Sequence, residues 1–251
     1  MTAYLFTHIP KAAGSWVRRN CVEPNFAPED MIHFGGSARQ LPEVRRAVAA
    51  RRGRDVAIWG HFVYGFHRLL PADCRYFTVM REPIDRVVSY YYFVQETKIA
   101  GHHHPERDLA LSQTLLEFSA RPSARDVQAR YLAGFVHDRL LARGRGFGRE
   151  AACRRAAFSH LDHRYDVVGF QDDLPGFAAR LADTYSWTCH GDRGRTWTTD
   201  RRPDVEELSD DTVAELRRLN VLDLEVYGEA RAKVAGRTQR PPTHALTPAT
   251  S

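Results

Sequence analysis

Lys11 stands in the stretch FTHIPKAAGSW (residues 6–16), just after an apolar run and just before a loop of small residues. The chain otherwise places its positive charge on arginine: of 36 Lys and Arg residues, only Lys11, Lys98 and Lys233 are lysine. A strand that feeds Ala12, Ala13 and Gly14 and then a helix turns several backbone N–H groups outward, and the helix dipole adds partial positive charge there. Such a loop can cradle an anion. A lysine within it supplies a mobile point charge, suited to an oxygen that gains negative charge as a bond breaks, whereas arginine's rigid fork suits static bidentate grip. The plainer alternative is a surface lysine in a strand-to-helix turn. The order is not that of G-x-x-x-x-G-K-[ST], where the lysine follows the glycines and directly precedes Ser or Thr.

Holding that loop requires a sheet. Tyr4, Leu5 and Phe6 read as a buried strand running into His8-Ile9-Pro10, with Ser15 as N-cap of a helix reaching about Cys21. DVAIWGHF (55–62) reads as a second strand and RYFTVM (75–80) as a third, leading directly into REPIDRVVSYYYF. Pro83 suits a first helical position, where no N–H is needed. Ile84, Val88 and Tyr91 then face the core, while Asp85, Ser89 and Tyr92 share the adjacent stripe. The segment 101–125 is polar, with one helix near 114–119. DVQARYLAGF (126–135) is helical up to Gly134, RGRGFGR (143–149) is a loop, and a helix at 150–161 precedes a fourth strand, RYDVVGF (164–170). Helices follow at 173–185, 209–219 and 222–234, with a loop at 188–204 between the first two. Strands alternating with helices predict a single P-loop-like α/β domain, residues 1–235, with a central mostly parallel sheet flanked by helices. The polar, proline-rich residues 236–251 read as a disordered tail.

Bulk properties narrow the function. With 251 residues, 43% hydrophobic and 27% charged, the chain is an ordinary soluble domain in composition. It has neither a membrane-length apolar run nor a signal-peptide core, so a cytoplasmic protein without a membrane partner is expected. Cys21, Cys74, Cys153 and Cys189 show no metal or disulfide spacing and read as reduced thiols. The net charge of +5 is spread among 31 acidic residues, and no basic block or stacking motif marks a nucleic-acid binder. The basic stretches 45–54 and 139–149 read as solvated surface. His102, His103 and His104 read as a polar loop and not as a zinc site.

HIPKAAGSW followed by MREPIDRVVSYYYF resembles the two nucleotide-binding motifs of sulfotransferases, particularly the glycan O-sulfotransferase branch that includes the heparan sulfate 2-O-sulfotransferases. The likeness extends more loosely through GHFVYGFHRLLP (60–71), QARYLAG (128–134), YDVVGFQDDL (165–174) and LDLEVYGEA (222–230). The resemblance implies that the first motif, residues Lys11, Ala12, Ala13, Gly14, Ser15 and Trp16, holds the 5′-phosphosulfate of 3′-phosphoadenosine 5′-phosphosulfate (PAPS). It implies that Arg81 and Ser89, eight residues apart as in the family's second motif, hold the 3′-phosphate. Where the family usually has a pair such as Thr-Gly, this chain has Ala12-Ala13; a hydroxyl contact is lost, but backbone donors remain. A start at the first strand, without the membrane anchor of the animal enzymes, is expected of a soluble bacterial form.

The chemistry so implied is in-line sulfuryl transfer from PAPS to an acceptor hydroxyl, on a carbohydrate or glycosylated small molecule, with no metal required. Lys11 would stabilise charge on the bridging oxygen. His61, at the end of a strand in WGHF, is the candidate general base, as is a His after Gly in the resembling enzymes. His67 is the substitute. Among Arg193, Arg195, Arg201 and Arg202 in the late loop, Arg195 is the expected nucleotide contact. Gln128 and Arg130 either face the acceptor or hydrogen-bond at a helix surface. The competing readings are a P-loop kinase or other phosphotransferase, which would need the Walker-type Lys-Ser/Thr, and a non-catalytic module that binds PAPS or its product 3′-phosphoadenosine 5′-phosphate (PAP).

Overall fold

Apolar runs of five or six residues without polar alternation build strands covered on both faces. A computed structural model of the chain describes residues 1–51, 53–96, 98–99, 102–143, 146, 148–191 and 202–238. Among these, five strands form one parallel sheet: β1 (Thr2–Thr7), β2 (Met31–Phe34), β3 (Val56–Gly60), β4 (Asp73–Met80) and β7 (Tyr165–Phe170). A separate two-stranded hairpin supplies β5 (Lys98–Ile99) and β6 (His102–His103). The sheet order is β2-β3-β1-β4-β7. This is the expected P-loop-like α/β architecture, with one strand more than the four read from the sequence. The strand missed is β2, four residues on the sheet's edge with an exposed histidine in the middle.

The helices are α1 (Gly14–Val17), α2 (Leu41–Ala50), α3 (Pro83–Glu96), α4 (Arg107–Ser112), α5 (Leu115–Ala120), α6 (Val127–Ala133), α7 (Phe135–Ala142), α8 (Arg149–His163), α9 (Leu174–Tyr185), α10 (Asp210–Leu219) and α11 (Val221–Thr238). Alternate strand residues divide the core. Leu5, Ile58, Phe34, Met80 and Tyr165 pack with α2, α6, α8 and α11 on one face. Phe6, Ala57, Phe77 and Val167 pack on the other with α1, its π-helical continuation Arg18–Val22, and α9. Helix α11 runs past its expected end at Val234 and takes in residues 236–238; the rest of the expected tail lies outside the described residues. No described helix is long and apolar enough to cross a membrane. The four thiols are free, and Cys189, far from Cys21 in sequence, together with burial pushes the Cys21 thiol up.

Strand order fixes where a ligand can sit. From β1 the chain leads to β2, beyond β3 on one side, whereas from β4 it leads to β7 on the other side. The connections diverge between β1 and β4, and open parallel sheets place ligands in the crevice at the carboxyl ends of such strands. Lys11 follows β1 and Arg81 follows β4, on the two sides of that crevice.

Candidate active site

The loop after β1 has an unusual backbone. Lys11 and Ala13 both take left-handed conformations, with φ of 67° and 58°. Each such non-glycine residue costs on the order of 1 kcal/mol or more, and strain of this kind collects at ligand-binding turns. Two left-handed residues so close together curl the chain into a concave turn whose N–H groups can converge on an anion. Ala13, and not Ser15 as expected, is the N-cap of α1. Alanine has no side-chain oxygen to engage the first-turn N–H groups, and no side chain caps this helix start. Ser15 lies within the first turn, and the Trp16 indole packs into the core.

A line of residues at four-residue spacing, from Arg81 just before α3 into that helix, faces this loop. The Arg81 guanidinium donates through Nη1 to Ser89 Oγ and to the Lys11 carbonyl, both at 3.1 Å, and through Nε to Asp85 Oδ2 at 2.6 Å. Ser89 is 3% exposed. Asp85 also accepts Arg202 Nη1 at 2.5 Å, and these two cations hold its carboxyl below the ordinary value despite burial. The line continues one turn further to Phe93, over whose ring Lys11 Nζ lies 4.1 Å from the centroid. Sequence reasoning missed Phe93, although its i+4 spacing from Ser89 was the available signal. Burial first, then Arg81 and Arg202, lower the Lys11 pKa to about 8.

On the other side of β1, histidines gather at the strand ends. The His8 ring lies 4.6 Å from that of His61, and the Gly14 Cα approaches His8 so closely that a Cβ there would lie 1.9 Å from Nε2. Gly14 is therefore a packing requirement as well as a loop residue. Burial, with help from His61, His33 and Lys11, lowers the His8 pKa to about 3, so this ring is neutral. His61 Nδ1 lies 2.9 Å from the His8 carbonyl oxygen. A carbonyl can only accept, so Nδ1 carries the proton and the neutral ring keeps its lone pair on Nε2. His61 is exposed on one side but crowded by protein on the other, and this desolvation outweighs the carbonyl and holds its pKa below 6.5.

The remaining expected residues fall elsewhere. His67 bonds the Tyr76 hydroxyl through Nδ1 at 3.0 Å and lies near Arg164, which precedes β7, so it faces the opposite end of the sheet from Lys11. Arg130 is 6% exposed, bonds Asp138 and holds the carbonyls of Pro122, Ser123 and Arg125, so its guanidinium is engaged by protein partners. Gln128 is fully buried and bonds the Arg81 peptide. His104 Nδ1 accepts the Glu106 N–H, and among the described residues no cluster of three or more His, Cys, Asp or Glu side chains is placed to hold a metal. Arg193, Arg195 and Arg201 lie outside the described residues. Arg202, the late-loop arginine that is described, reaches the site through Asp85.

The fold and the site together define an α/β protein with a cation-lined crevice at the carboxyl ends of β1 and β4. No protein-family model matches the chain, and no curated protein sequence matches it. Among solved structures, the mouse sulfotransferase SULT7A1 complexed with PAP is similar over 86% of this chain and 63% of that one, at 14% identity and a TM-score of 0.39. The chain thus spans less than two thirds of that protein's length. A likeness at this level carries no functional argument, which has to come from the crevice itself.

Proposed function

We propose that the chain is a sulfotransferase, similar to the glycan O-sulfotransferase branch, that transfers the sulfuryl group of PAPS to a hydroxyl of a carbohydrate or glycosylated small molecule. One observation carries the reading: the Arg81 guanidinium bonds both Ser89 and the Lys11 carbonyl, so the two motifs singled out in the sequence meet in one crevice. The donor set fits a nucleotide with phosphates at both ends. The strained loop and Lys11 suit the 5′ end, and Arg81, Ser89 and Arg202 suit the 3′-phosphate, with Arg giving charge-assisted contacts. PAPS supplies a sulfuryl group already bonded to a phosphate leaving group.

Each residue then has a defined task. Lys11 moves its ammonium from the Phe93 ring to the bridging oxygen, where preorganised positive charge is typically worth about 3 kcal/mol. Asp85 keeps the two guanidinium groups fixed. His61, with its proton on Nδ1, offers Nε2 to the acceptor hydroxyl as general base. The test is PAP release from PAPS over a panel of carbohydrate and small-molecule hydroxyl acceptors. Acceptor-dependent release that drops about 100-fold or more in Lys11→Ala, with nucleotide binding retained, supports the reading. Release unchanged by Lys11→Ala, or turnover of ATP with Mg²⁺ in place of PAPS, contradicts it.

A further inference from the structure

Arg81 sits at the junction between β4 and α3, where the backbone is free of sheet pairing and is not yet helical. Its peptide groups are engaged from outside by one side chain. Gln128 Oε1 accepts the Arg81 N–H at 3.0 Å and Gln128 Nε2 donates to the Arg81 carbonyl at 2.9 Å. The amide therefore closes a ring on a single residue, and Gln128 is 0% exposed. A buried glutamine whose two amide atoms both bond one backbone residue holds that residue at two points, and loss of either bond would leave a buried polar group unpaired.

The platform beneath Gln128 is equally specific. Asp223 accepts the backbone N–H groups of Gln128 and Ala129 at 3.2 and 2.7 Å, which caps the start of α6. Asp126 accepts those of Leu222 and Asp223 at 2.9 and 3.3 Å, which caps the start of α11. Each helix thus carries the cap of the other, and Asp126 takes a left-handed φ of 51° to do so. The fully buried Arg86 of α3 lies 3.9 Å from Asp223 and ties the exchange to the helix that bears Ser89. Three helices are locked together at the point where Gln128 meets Arg81.

We infer that Gln128 is a positioning residue that fixes the Arg81 backbone, so that its guanidinium is delivered in one orientation to the 3′-phosphate. The inference rests on the nucleotide reading above. Gln128 touches no ligand itself; it acts through Arg81. Its removal should impair recognition of the 3′-phosphate while leaving the 5′ end of the nucleotide bound as before.

The experiment compares the dissociation constants of PAP and adenosine 5′-monophosphate for wild type, Gln128→Met and Gln128→Glu, with thermal unfolding of each. Methionine fills the same volume without either bond; glutamate keeps the acceptor for the Arg81 N–H. The expected result is a fall of about tenfold or more in the PAP-to-monophosphate preference for Gln128→Met, with partial rescue in Gln128→Glu. A merely structural role would weaken both nucleotides together. An unchanged preference in folded variants, or failure of both variants to fold, overturns the positioning role. If wild type itself does not prefer PAP, the nucleotide reading has failed, and the inference falls with it.

Discussion

Lys11 carries a charge that its surroundings do not favour. Burial and two guanidinium groups bring its pKa to about 8 from 10.5, and the Phe93 ring face offsets them by about 1 kcal/mol. Below pH 8 the ammonium is charged in both folded and unfolded chains. Between 8 and 10.5 the unfolded chain binds more protons, so the free protein should gain stability as pH rises through that window. Lys11→Met, compared by urea unfolding at pH 7 and pH 9.5, should lack this gain. In catalysis the sign reverses, because the charged form is the useful one. We expect kcat/KM to fall above about pH 8, with the limb moving to higher pH in kcat, where bound nucleotide anion stabilises the ammonium. An acid limb below pH 6.5 belongs to His61, whose pKa is lowered mainly by burial, and His61→Asn should abolish it while cutting kcat by about 10² or more. An acid limb that survives in His61→Asn would remove His61 from the base role.

Elements place these groups through close backbone approaches. Gly60 ends β3 at φ 155°, and a Cβ there would lie 1.9 Å from the Phe34 carbonyl oxygen of β2. Gly60→Ala should therefore part β2 from β3 and destabilise the fold by about 3 kcal/mol or more, measured by denaturant unfolding, and displace the neighbouring His61. The sequence made α3 legible because Pro83 and the spacing of Ile84, Val88 and Tyr91 dictate one buried face, and all three are buried. Arg81, Ser89 and Lys11 were legible as a set through ordered motifs, and the structure brings them within hydrogen-bond reach. β2 was not, since a four-residue edge strand carries too little periodicity to stand out. Gln128 was left open between an acceptor contact and a helix-surface hydrogen bond, because a buried glutamine and a surface one look alike in sequence. Only the fold shows that its partner is 47 positions away.

Across the whole molecule, the parallel order β2-β3-β1-β4-β7 brings the loop after β1, the start of α3 after β4 and the histidines after β1 and β3 to one edge of the sheet. Three cations gather there, Lys11, Arg81 and Arg202, with Asp85 paired to both arginines and Asp204 3.7 Å from Arg202. A ligand with separated phosphates suits that excess, and one read at both ends should bind far better than one lacking the 3′ group. The most direct measurement is isothermal titration of the wild-type protein with PAP, adenosine 5′-monophosphate, and ATP with Mg²⁺, alongside Arg81→Ala. The account predicts that PAP binds at least about tenfold more tightly than either other nucleotide, and that Arg81→Ala erases the difference. Equal binding of PAP and the monophosphate, or a preference for ATP with Mg²⁺, would contradict it.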